Sequence, residues 1–160
     1  MWQDLVNVLE TLVKHYQELL ALAHKKTAVL VAVDMKGLEK LVQQEEKIIA
    51  AIHAAEECRK KALQVLSQKE MGIRTDMHME ELVAMSPGLQ RESLRKLHQE
   101  LNEVIQKVKA ESENNSLLVN SALSAVKYHL NRIGGTQVQP TYGRQGGELI
   151  SKEKKFDFQA

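Results

Sequence analysis

Hydrophobic residues recur every three or four positions along most of the chain. The longest such run lies in the C-terminal half, where the steps alternate strictly between three and four residues and then stop at Gly134-Gly135. This heptad spacing predicts a long helix with one apolar seam. The seam consists of Leu94, Leu97, Leu101, Val104, Val108, Glu111, Asn115, Leu118, Ala122, Ala125 and His129.

Two earlier stretches share this periodicity and predict two more long helices. A stripe from Leu5 to Leu30 predicts a helix over about residues 3–33, and a stripe from Leu38 to Leu66 predicts one over about 35–68. Asp34 lies between them and is a suitable N-cap, because its carboxylate can accept hydrogen bonds from the free amides of a new helical turn. We therefore expect a break between the two helices here.

The region between the second and the last helix has several turn and capping residues. Gly72 suits the end of a helix, and Asp76 is predicted to cap a short helix over 76–85. Ser86 and Pro87 are predicted at the N-cap and the first position of the last helix, which should run over 87–133. We expect the four methionines of this region to fill space over the end of the bundle. They are Met71, Met77, Met79 and Met85.

The predicted fold class is all-α. Over residues 1–133 we expect an elongated antiparallel helical bundle or coiled coil of three long helices plus the short connector helix. The last helix would be about 70 Å long, and so its seam must be covered by the two earlier helices. Residues 134–160 are rich in glycine and predict a flexible, partner-binding tail, in which residues 148–155 could form a short helix on contact.

Composition narrows the classes of partner. The 160 residues include 22 basic and 21 acidic side chains, a net charge of +1, which gives no bulk field to recruit nucleic acid. No apolar run approaches the ~20 residues that span a bilayer, and the N-terminus lacks the basic start of a signal peptide. The lone Cys58 fits a reducing compartment. We expect a cytoplasmic protein without stable membrane insertion.

Catalytic and metal-binding patterns are missing from the sequence. It contains six histidines but no Glu-x-x-His and no His-Glu-x-x-His, and it lacks paired cysteines, a phosphate loop and a nucleophile elbow. We therefore expect no catalytic residues, no metal site and no cofactor, and hence a protein that is not an enzyme.

Two features remain as candidates for function. The first is the polar interruption of the seam at residues 111–115, which either fixes the register of the last helix or is a solvated stretch beyond the ends of the shorter helices. The second is the tail, whose apolar side chains are too few to bury each other. These side chains are Val138, Tyr142, Leu149, Ile150, Phe156 and Phe158.

Several short stretches occur in a characteristic order along the helices and the tail. They include Leu38-Glu39-Lys40-Leu41, Glu113-Asn114-Asn115-Ser116-Leu117-Leu118 and Thr141-Tyr142-Gly143-Arg144-Gln145-Gly146. In this order and spacing, the chain resembles the flagellar export chaperone FlgN family over nearly its whole length.

The resemblance implies a non-enzymatic chaperone of flagellar hook-associated proteins, which join hook to filament. Such a chaperone prevents their premature assembly and delivers them to the type III export apparatus. We expect the end of the last helix and the tail to bind this cargo. The candidate partner-binding residues are Leu118, Ala122, Ala125, Tyr142, Leu149, Ile150, Phe156 and Phe158.

The alternative is a structural coiled-coil protein that uses the same seam for homo-oligomerisation and carries no cargo. Long helices joined by short connections also permit a helix-swapped dimer. The sequence leaves open the oligomeric state and the identity of the preferred cargo.

Overall fold

The computed structural model of the chain describes residues 1–142 and 148–154. It contains four helices in this part, α1 (Trp2–Val31), α2 (Met35–Lys69), α3 (Met79–Met85) and α4 (Gly88–Gly134), followed by the strands β1 (Thr136–Tyr142) and β2 (Glu148–Lys154). The predicted all-α bundle of three long helices and one short connector helix is confirmed. The chain divides into two compact units, Met1–Asn115 and Ser116–Ala160.

The core of the first unit joins all four helices. α1 contributes the fully buried Leu5, Leu9 and Leu12, and the other helices add one fully buried leucine each, Leu66, Leu82 and Leu94. Burial of one such side chain stabilises the fold by about 1.5–3 kcal/mol. The seam of α4 thus packs as its spacing predicts, with Leu97, Leu101 and Val108 half-buried against the same cluster.

A short capped connection turns the chain from α1 into α2. The Asp34 carboxylate accepts a hydrogen bond from the Gly37 amide at 3.0 Å, which confirms the predicted N-cap. A Cβ atom at Gly37 would collide with that carboxylate, so a larger residue there would displace the capping side chain. Val33 adopts a φ of 55°, an unusual conformation for a β-branched residue, and its side chain is exposed.

The connector between α2 and α4 differs from its prediction at two capping residues. The short helix begins at Met79, with His78 as its N-cap, so that the predicted cap by Asp76 is wrong and Asp76 pairs with Arg74 instead. Ser86 was predicted to cap α4, but its buried hydroxyl donates to the Val83 carbonyl at the end of α3. Each of these side chains interacts with a group close to it in the sequence. Rules based on residue propensity do not distinguish such an interaction from a helix cap.

The methionines of this connector divide into two pairs. Met77 and Met79 are half-buried against the core, as expected of residues that fill the end of the bundle. Met71 and Met85 are exposed, so the expectation that they fill space over the end of the bundle is wrong for this pair. Met85 lies beside Gly72, whose φ of 90° makes the turn after α2.

The segment after α4 contains two short strands in its described part. β1 and β2 pair in antiparallel register from Thr136 opposite Lys154 to Tyr142 opposite Glu148. Pairing with a threonine- and tyrosine-containing strand satisfies backbone groups of Glu148–Lys154. Whether residues 148–155 form a helix on contact with a partner stays a prediction.

We expect the Asp34→Ala variant to lose about 1 kcal/mol of unfolding free energy, because the Gly37 amide then lacks its side-chain acceptor. Urea denaturation followed by circular dichroism measures this loss. Asp76→Ala is the matched control, since its exposed ion pair with Arg74 contributes about 0.5 kcal/mol or less. Equal losses in the two variants would show that the cap at Asp34 does not stabilise α2.

Candidate partner-binding site

A polar cluster joins α1 to α4 at the end of the first unit. The Asn115 side chain is 4% exposed, and its Nδ2 donates to the Ala23 carbonyl at 2.9 Å. Thr27 Oγ1 lies 2.7 Å from Asn115 Oδ1 and 2.5 Å from Glu111 Oε1. His24 Nδ1 is 3.5 Å from the same Glu111 oxygen. We call these five residues the polar clamp.

The polar clamp decides between the two interpretations of the seam's polar interruption. Glu111 and Asn115 contact α1 directly, and so they are not a solvated stretch beyond the shorter helices. A shift of α4 along α1 would leave the buried amide of Asn115 without partners, and such a group costs about 1–3 kcal/mol. The clamp therefore fixes the register of α4 on α1. The neighbouring Glu113 and Asn114 are exposed.

The packing of α4 changes after Asn115. Of the predicted groove residues, Leu118 is half-buried, whereas Ala122 and Ala125 are exposed. Larger apolar side chains are also exposed in this part of the helix, from 43% at Leu123 to 85% at Ile133. Five of them follow one another at steps of four, three, four and three residues, and we call them the exposed seam. They are Val119, Leu123, Val126, Leu130 and Ile133.

The exposed seam lies on a different side of α4 from the predicted groove. At 100° per residue its centre is about 100° around the helix from the line through Leu118, Ala122 and Ala125. The seam predicted from the first unit continues past Asn115 through Leu118, Ala122 and Ala125, and so it does not include these larger residues. The signal was present in the sequence, because the four-three spacing from Val119 to Ile133 is itself a heptad pattern.

The charges around this segment are all of one sign. Between Glu113 and Glu148 the sequence has no acidic residue, and it has three basic ones, Lys127, Arg132 and Arg144. Next to Lys127, the rings of Tyr128 and His129 meet edge to face at 5.7 Å. The charged side chains in this stretch of the sequence are therefore all basic.

The predicted tail residues fall partly within the strands. Tyr142 ends β1, and Leu149 and Ile150 lie near the start of β2, where their backbones pair with Thr141 and Pro140. Phe156 and Phe158 lie outside the described residues. Whether these five side chains and the groove residues contact a partner stays a prediction.

Neither a metal cluster nor a membrane span is found in the described part of the chain. Residues 1–142 and 148–154 contain no group of three or more histidine, cysteine or acidic side chains that could hold a metal ion. No helix among them is both long enough and apolar enough to cross a bilayer.

Comparison with known proteins places this architecture in a family. The family described as FlgN protein matches residues 1–149, which span all four helices and β1. The chain belongs to the FlgN family. Membership implies the general role of a flagellar export chaperone, as the sequence resemblance indicated. Among the candidate residues, the FlgN match includes Tyr142 and Leu149 and ends before Ile150.

A second comparison also covers nearly the whole chain. The chain is 26% identical over 159 residues to YvyG of Bacillus subtilis (strain 168), a protein described as uncharacterized. The aligned region includes 98% of this chain and 97% of YvyG. The alignment therefore extends over both units of the chain. No solved structure matches the chain.

We expect Asn115→Ala to lower the unfolding free energy by about 1–3 kcal/mol, because Thr27 and the Ala23 carbonyl lose a buried partner. Chemical denaturation with urea gives the value. The adjacent Asn114→Ala is the matched control and should change stability by about 0.5 kcal/mol or less, since Asn114 is exposed. If both variants unfold at the same urea concentration, the clamp does not stabilise the register of α4.

Proposed function

We propose that this chain is a cytoplasmic, non-enzymatic chaperone of flagellar hook-associated proteins. It binds these proteins before export, prevents their premature assembly and delivers them to the type III export apparatus. The observation that carries the proposal is the exposed apolar surface on residues 116–134, in a chain whose family consists of export chaperones.

The chemistry of this surface suits a helical cargo. Subunits that polymerise through long amphipathic helices expose apolar stripes before assembly, and these stripes aggregate unless they are covered. A helix with apolar residues every three or four positions covers such a stripe by helix-to-helix packing. Large apolar side chains exposed together mark an interaction surface more often than an inert one.

We place the cargo contacts on the second half of α4 and on the segment after it. In this proposal α4 supplies the apolar platform, and the tail supplies further anchors. The proposed contact residues are Leu118, Ala122, Ala125, Tyr142, Leu149, Ile150, Phe156 and Phe158.

The proposal predicts that the chain co-purifies with hook-associated proteins when the two are co-expressed. A shortened chain ending at Gly134 should retain about tenfold less cargo, equivalent to about 1.4 kcal/mol of binding energy. This truncation leaves intact the core cluster, whose described members all precede Asn115. Undiminished binding by the shortened chain would remove the tail from the site.

Two controls make this experiment specific. Leu89→Ser changes an apolar side chain that is 89% exposed but outside the proposed site, and it should bind cargo like the unaltered chain. Light scattering on the chain alone tests the alternative function. A monomer that binds cargo supports the chaperone, whereas an obligate oligomer that binds none supports a structural coiled-coil protein.

A further inference from the structure

The strand β2 has one edge to which no other strand of the described residues is paired. The sheet consists of two strands in the order β1-β2, so each of them pairs on one side only. An uncovered edge presents a row of backbone N–H and C=O groups with which another strand can pair. A two-stranded sheet is only marginally stable alone in water, and additional strands stabilise it. The hairpin therefore gains stability when a further strand is added.

The two outer edges of the hairpin differ in their capacity to accept a strand. β1 contains Pro140, which has no N–H to donate. Prolines within sheets occur on edge strands with the nitrogen facing away from the ladder, so the outer edge of β1 lacks a donor near its centre. Every residue of β2 has an amide hydrogen. Pairing with a further strand is thus disfavoured at β1 and favoured at β2.

The charged residues of β2 lie opposite uncharged residues within the hairpin. β1 has no charged residue, whereas β2 has two glutamates and two lysines. The register places Glu148 opposite Tyr142 and Lys154 opposite Thr136. An opposite charge across the ladder from Glu148 or Lys154 must therefore come from a strand added at the free edge of β2.

A second copy of β2 has the charges that this edge requires. If two β2 strands pair antiparallel about Ser151, all seven residues of each strand overlap, and Glu148 of each copy lies opposite Lys154 of the other. The remaining positions place no like charges opposite each other. Parallel pairing in register would instead put every charged residue opposite its own kind. Opposite charges in cross-strand pairs stabilise a sheet, and like charges destabilise it.

We infer that the free edge of β2 pairs with β2 of a second copy of the chain, antiparallel and centred on Ser151. The resulting four-stranded sheet has the order β1-β2-β2-β1, so both of its outer edges are the proline-containing strand. Because these edges resist further pairing and the two-fold interface is closed, assembly ends at a dimer. The inference concerns self-association and does not rest on the proposed chaperone function.

The test is sedimentation equilibrium of the full chain at 50 mM salt. The unaltered chain should form reversible dimers. Glu148→Lys puts lysine opposite lysine and Lys154→Glu puts glutamate opposite glutamate, so each variant alone should associate about tenfold more weakly. An equimolar mixture of the two variants should regain dimers, because opposite charges then face each other at both pairs. Neither change creates a like-charge pair within the hairpin, since Tyr142 and Thr136 are uncharged.

Lys152→Glu is the matched control for net charge. It makes the same change of charge on the same strand as Lys154→Glu, but in the inferred register residue 152 lies opposite the uncharged Ile150 of the other copy. Association of this variant should stay within about threefold of that of the unaltered chain. Equal weakening by Lys152→Glu and Lys154→Glu would overturn the inferred register. Circular dichroism checks that all variants keep their helical content.

Three results would overturn the inference as a whole. One is an unaltered chain that stays monomeric at every concentration. Another is a mixture of Glu148→Lys and Lys154→Glu that associates no better than either variant alone. The third is dimers that persist in Lys154→Glu but vanish in Leu123→Gln with Leu130→Gln, which would assign self-association to the exposed seam. The measurement contains no hook-associated protein, so each of these results leaves the proposed function to its own test.

Discussion

The buried amide of Asn115 is the constraint on which the arrangement of α4 depends. Apolar seams alone specify a register weakly, because leucine packs acceptably after a shift of one heptad. A buried side chain that both donates to the Ala23 carbonyl and lies within hydrogen-bond distance of Thr27 has no equivalent partners in a shifted register. The clamp thus determines which residues of α4 are covered within the first unit.

The exposure after the clamp has opposing consequences. Covering Val126 or Leu130 within the chain would stabilise it, yet would leave nothing for a partner helix to contact. Exposed apolar residues carry a risk of self-association, which the one-sided charge of the segment reduces.

The sequence predicted the features that depend on a local pattern of residues. Its predictions were wrong where two groups compete for the same polar side chain. The seam residues Leu94 and Val104 are buried as their spacing predicts, and Asp34 caps α2. Asp76 and Ser86 have side chains that are equally suitable as helix caps. In the folded chain, however, each interacts with a closer partner instead. The exposed seam was readable in the sequence. It was not predicted, because a heptad pattern shows which residues form an apolar line on a helix. The pattern does not show where the helices that cover this line end.

The size of the exposed seam also explains why a second contact is needed. Its five side chains are already partly covered, and burying the remainder would contribute about 1–2 kcal/mol each. The loss of translational and rotational freedom on association opposes this with an estimated 4–15 kcal/mol. A helix held by the seam alone would therefore bind weakly and exchange quickly. If the tail contacted the same partner, it would raise the effective concentration of the second interaction, and the two contacts together would hold that partner more firmly than either one alone.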